Sequence, residues 1–103
     1  MLENIPEGKG GFIIVLYKIL HIRDLKSCPK FGIEAARRFR EDYSPERIEK
    51  ICSGILWAID HENVDYKNIL PGMRHENDEI LWFFRKTLKE MAEVGLCCPN
   101  KGQ

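Results

Sequence analysis

The sequence predicts an all-α fold, a single-domain bundle of about four helices, and three observations carry that reading. Ile48, Ile51, Cys52, Ile55, Leu56 and Ile59 recur at steps of three and four residues, the spacing that lines one face of an α-helix. Ile80, Leu81, Phe84, Leu88 and Met91 repeat the pattern. No second run alternates apolar and polar residues with period two, so a strand would find no partner for its backbone groups. At 103 residues the chain fills one core and not two, so one domain is expected over residues 1–103.

Taken in order, residues 1–11 hold Pro6, Gly8, Gly10 and Gly11, a composition that predicts a flexible start. The run Gly8-Lys9-Gly10-Gly11 lacks the longer glycine frame and Lys-Ser or Lys-Thr pair of a phosphate-binding loop. Residues 12–25 are ambiguous. Ile13, Ile14 and Val15 favour a strand locally, whereas the length of the apolar run and the missing partner favour a helix buried between its neighbours. The alternative is an α+β fold with residues 12–17 as a strand paired across a dimer. A second helix over 32–43 carries Ala35, Ala36, Phe39 and Tyr43 on one side, with Glu34 and Arg38 spaced for an ion pair.

Ser44-Pro45 starts the third helix, serine accepting from a free amide and proline suiting the first helical position. The connection 63–76 contains Val64, Tyr66, Ile69, Leu70 and Met73, so it packs down onto the core. Asn77 or Asp78 caps a fourth helix reaching Val94, with Gly95 set to end it in the left-handed conformation. Residues 96–103 read as a flexible tail.

Composition narrows the functional classes. Sixteen basic and sixteen acidic residues cancel, so no global field draws nucleic acid or anionic lipid, and low net charge eases self-association. The run Phe12–Ile22 is about half the roughly 20 residues of a spanning helix and contains Lys18 and His21. Flanking charges also break the pattern of a secretion signal. A cytoplasmic protein with reduced cysteines follows: Cys52 sits on an apolar face, Cys97 and Cys98 are adjacent and disfavour bridging each other, and no paired Cys-x-x-Cys spacing invites zinc.

Projected at about 100° per residue, both tryptophans fall off the apolar stripes. Trp57 shares its sector with Lys50, Ser53, Gly54 and His61, where a packed-down segment covers it or a partner does. Trp82 lies among Arg85, Lys86, Lys89 and Glu93. Tryptophan beside basic side chains is enriched in interface hot spots. The leading expectation is therefore a non-enzymatic protein interaction module that is self-associating, for instance a homodimer, or acts as an adaptor or an immunity-like inhibitor. Its surface would comprise Trp82, Arg85, Lys86, Lys89 and Trp57, with no cofactor and no membrane.

Two alternatives come from other classes. His61-Glu62-Asn63 recurs as His75-Glu76-Asn77, and His61, Glu62, His75 and Glu76 would make a small metal-dependent hydrolase if the loop brought the helix ends together. The spacing is not the one-turn His-Glu-x-x-His pattern. Lys30, Arg37, Arg38 and Arg40 form the densest basic cluster, which a nucleic-acid-binding module would use, although Glu34, Glu41 and Asp42 dilute its field.

Overall fold

The structure is a computed structural model that describes residues 9–28 and 30–96. The expected tail beyond Leu96 and the first eight residues of the expected flexible start lie outside them. Four α-helices make the fold: α1 (Ile13–Ile19), α2 (Ile33–Asp42), α3 (Pro45–Asp60) and α4 (Asn77–Glu93). Short 3-10 turns occur at Gly10–Phe12, Leu25–Ser27 and Tyr66–Asn68. No strand occurs among the described residues, so residues 12–17 are helical and the strand alternative falls.

Helix α1 stops at Ile19, six residues short of expectation. Beyond its end the Ile19 carbonyl accepts the Ile22 amide at 3.1 Å, and His75 adds to this turn, its Nε2–H lying 2.7 Å from the Ile22 carbonyl and 3.2 Å from that of Ile19. Both partners are acceptors, so the Nε2 nitrogen carries the proton. Asp24 then caps the separate 3-10 turn through the Lys26 amide at 3.1 Å. Val15, Leu16 and Ile19 are buried while Tyr17 is exposed, so α1 inserts one face and does not lie sealed between neighbours.

Gly11, expected in an irregular start, is instead the closest contact to α3. A Cβ on Gly54 would lie 2.6 Å from the Gly11 nitrogen, and one on Gly11 would lie 2.6 Å from the Ile51 Cα. Backbone rests on backbone, and Lys9 adds a hydrogen bond from Nζ to Ser53 Oγ at 2.7 Å. The turn drops Phe12 into the core, fully buried. There it meets Tyr66 edge-on at 5.3 Å, Phe84 at 5.8 Å and the Trp57 ring in a stack at 6.1 Å.

This docking rotates α3. Its buried residues are Ile48, Ile51, Gly54, Ile55 and Ala58, whereas Leu56, expected in the core, is 44% exposed and Cys52 and Ile59 are half-buried. Helix α4 buries Phe83, Thr87 and Glu90 besides Ile80, Leu81, Phe84 and Met91, and Leu88 is half-buried. Cys52 is disulfide-bonded, contrary to the expected reduced thiol, whereas Cys28 is free; Cys97 and Cys98 lie outside the described residues.

The caps follow the sequence in part. Ser44 Oγ accepts from the Arg47 amide at 3.2 Å, and Gly95 adopts φ +82°. The Leu96 amide then reaches back to the Met91 carbonyl at 2.9 Å and the Gly95 amide to Ala92 at 3.1 Å, the paired bonds of a Schellman ending. Glu34 pairs with Arg37 rather than Arg38, at 2.6 Å.

Glu76, not Asn77 or Asp78, is the N-cap of α4, its amide donating to Glu79 Oε1 at 2.9 Å. Asn77 staples the preceding loop instead. Its Oδ1 accepts from the Tyr66 and Lys67 amides at 2.8 and 3.2 Å, and its Nδ2 donates to the Val64 and Glu62 carbonyls at 2.9 and 3.4 Å. Tyr66 thereby enters the core, its hydroxyl lying 2.8 Å from the His61 carbonyl and 3.0 Å from Ala58. Burial pushes its phenol up to about 12, so it stays a neutral donor.

Two predictions follow from this packing. Gly54→Ala forces the Gly10–Phe12 turn off α3 and lowers unfolding free energy by about 1–3 kcal/mol in urea denaturation, with a change in tryptophan emission as Phe12 leaves Trp57. Gly10→Ala is the control: its Cβ meets only Ile13 at 3.7 Å, and stability stays close to that of the parent. Asn77→Ala leaves the Tyr66 and Lys67 amides without their acceptor and costs about 1–3 kcal/mol, seen as faster amide exchange at 64–67.

Candidate functional site

Among the residues expected to form a partner surface, the structure groups Trp82, Arg85, Lys86 and Lys89 and separates Trp57 from them. Trp82 stands on the outer side of α4, 39% exposed, as a ridge between two clefts. One is lined by Lys30, Arg85, Lys86, Lys89, Glu90 and Glu93. The other is lined by Asp24, Leu25, Lys26, Asp78 and Glu79. The first cleft is mainly basic and the second mainly acidic, so one aromatic side chain divides two charge signs.

Trp57 is half-buried. Phe12 covers one part of it and the His61 ring stacks on it at 4.1 Å and 15°. Its polar sector on α3 is the one the amino-terminal turn occupies, so a segment of the chain itself covers part of it. It lines neither cleft around Trp82.

The basic cleft is organised by internal pairs. Lys86 Nζ lies 2.7 Å from Glu90 Oε2 and 5.8 Å from the Phe83 ring centroid, Lys30 pairs with Glu93 at 3.2 Å, and Arg85 pairs with Glu62 across to the end of α3. Lys89 has no ion pair among the described residues. Glu90 also accepts the Phe31 amide at 2.8 Å, which ties the segment before α2 to α4. Burial pushes the Glu90 carboxyl up, but the hydrogen bonds from Lys86 and the Phe31 amide, with the charges of Lys86 and Lys30, outweigh it and hold the group below its ordinary value.

Beyond the basic cleft, Leu56, Ile59, Leu88 and Ala92 line an apolar crease between α3 and α4 that shares Arg85, Lys89 and Glu93 with it. The ridge, the clefts and this crease form one continuous face. Asp78 and Glu79 were readable as part of it, being four and three residues before Trp82; the helix-end role expected of acidic residues there hid them. Asp24 and Leu56 carried no such signal, since one arrives from a distant segment and the other sits on an apolar stripe.

The metal set does not assemble. The loop does bring the two triplets close, Asn77 Nδ2 lying 3.4 Å from the Glu62 carbonyl, but His75 is 4% exposed and turned inward onto the end of α1. His61 donates from Nδ1 to the Trp57 carbonyl at 2.7 Å, Glu62 is held by Arg85, and Glu76 pairs with Lys67 at 3.2 Å. No group of three or more His, Cys, Asp or Glu side chains able to hold a metal occurs among the described residues. Of the other basic candidates, Arg37 pairs with Glu34 and with Glu41 at 3.7 Å, and Arg40 donates to the Val94 carbonyl at 3.0 Å. No helix of the described residues is long and apolar enough to cross a membrane.

The Glu90 network has a pH signature. Because its folded value lies below the unfolded one, its stabilisation is complete above the unfolded carboxylate range and is lost as pH falls through the folded value. Acid titration of stability in the parent and in Glu90→Gln measures it: the two curves converge at low pH and separate above the unfolded range, the parent being the more stable. Compared with protein-family models, curated proteins and solved structures, the chain matches none.

Proposed function

We propose that the protein is a non-enzymatic interaction module and that the Trp82 face of α4 binds a second copy of the chain. The observation that carries this reading is the ridge itself, a partly exposed tryptophan between clefts of opposite sign. On α4, Asp78 and Lys86 lie four residues either side of Trp82, and Glu79 and Arg85 three either side. An antiparallel pairing of two α4 helices about a two-fold axis at Trp82 sets the acidic residues of one copy against the basic residues of the other. Such an isologous contact needs one self-complementary patch, which is the common route to homodimers. The apolar crease at Leu56 and Leu88 extends the contact beyond the ridge, and a groove between two helices suits a third.

Aromatic anchors dominate such interfaces, and the surrounding charges set orientation and rate more than affinity. A cytoplasmic setting belongs to this proposal and rests on the charges flanking Phe12–Ile22. The Cys52 disulfide weighs on the other side, because disulfides persist in oxidising compartments.

Sedimentation equilibrium tests the reading. The parent is expected to dimerise, and Trp82→Ala to weaken the dimer by about thirtyfold, the loss of a hot spot of about 2 kcal/mol. Arg85→Glu with Lys89→Glu should remove self-association, and so should Asp78→Lys with Glu79→Lys; mixing the two variants should restore a heterodimer. A parent that stays monomeric, or charge variants that fail to rescue each other, overturns the proposal.

A further inference from the structure

Helix α2 does not close fully over its neighbours. A cavity of about 240 Å³ opens between α1, α2 and α4, on residues that play no part in the Trp82 face. Its inner wall comes from Val15, Phe31, Ile51, Phe83 and Met91, all buried. Lys18, Arg38 and Asp42 line it as well and are exposed, which places them at its mouth. Lys18 Nζ stands 5.7 Å from the Phe31 ring centroid, and neither Lys18 nor Arg38 has an ion-pair partner among the described residues.

Thr87 belongs to the same inner wall. It lines the cavity, one helical turn from both Phe83 and Met91, and is 8% exposed.

We propose that this cavity binds a medium-chain monocarboxylate, its alkyl chain among the apolar side chains and its carboxylate at Lys18 and Arg38. The volume lies below the roughly 300–1,000 Å³ of drug-sized sites, so the ligand is small. The lining rejects a polar body such as a nucleotide, because buried apolar walls cannot replace the water it would lose. Two cations against one carboxylate leave the mouth positive, which selects an anionic head over a neutral or cationic one.

Octanoate is the probe, with octanol and octylammonium as neutral and cationic counterparts, each titrated below micelle formation into 15N-labelled full-length protein. Octanoate is expected to shift the amides of Val15, Lys18, Phe31 and Thr87 and to bind about tenfold tighter than octanol, the sum of two partly exposed charge contacts, with octylammonium weakest. Lys18→Glu with Arg38→Glu changes only exposed side chains; it should abolish the preference for octanoate while octanol binds as before. Ala35→Phe fills the cavity and should block both, with retained amide dispersion as the check on folding. Equal binding of the three probes, shifts confined to the Trp82 face, or charge reversal without effect overturns the proposal. Because the cavity and the Trp82 face share no residue, dimerisation and octanoate binding succeed or fail separately.

Discussion

The contact of Gly11 with Gly54 is the constraint on which the rest of the structure depends. Two backbones approach where any Cβ would collide with main-chain atoms, a separation only glycine permits. That approach sets the depth of Phe12. Phe12 in turn fixes the ring geometry of Tyr66, Phe84 and Trp57, since a close-packed interior transmits small displacements to its neighbours. Tyr66 then holds the long connection down through the carbonyls at the end of α3.

The same contact decides what is left uncovered. Helix α3 turns its Gly54 and Ala58 side towards the amino-terminal turn and core, so the opposite edge, with Leu56 and Ile59, faces outward beside Leu88 and Ala92. The exposed apolar crease and the covered Trp57 are two results of one rotation. On α4 the rotation has a different cause: Glu90 holds the Phe31 amide, which draws Phe83 and Thr87 inward under the segment before α2 and leaves Trp82 at the outer crest.

Helices α2, α3 and α4 were legible in the sequence to within a residue or two, because periodicity, the Ser44-Pro45 start and the Gly95 end are local signals. The side each helix buries was less legible. Leu56 belongs to an apolar stripe by spacing alone, and its exposure depends on Gly11 arriving from forty-five positions away. Trp82 with Arg85, Lys86 and Lys89 could be found because they share one helix face. For Trp57 the sequence left cover by a packed-down segment and contact with a partner both open, because the residue that covers it in part, Phe12, comes from a segment that composition marks as irregular. The histidine triplets show the limit of inventory: their chain ends do meet, yet His75 caps α1, a role invisible without the fold.

The hydrogen bond from Lys9 to Ser53 spans 44 residues and, with the glycine contact beside it, encloses α1 and α2 within one loop. Closing a loop of that length carries a larger entropic cost than closing the α3 to α4 connection. The hairpin of α3 and α4 can therefore assemble from nearby segments, while the amino-terminal turn has to wait for its seat. During synthesis Phe12 leaves the ribosome before Gly54 and Trp57 emerge to receive it. The nascent chain thus carries an unsatisfied aromatic residue through that interval, and the order of synthesis runs against the order in which this core can close.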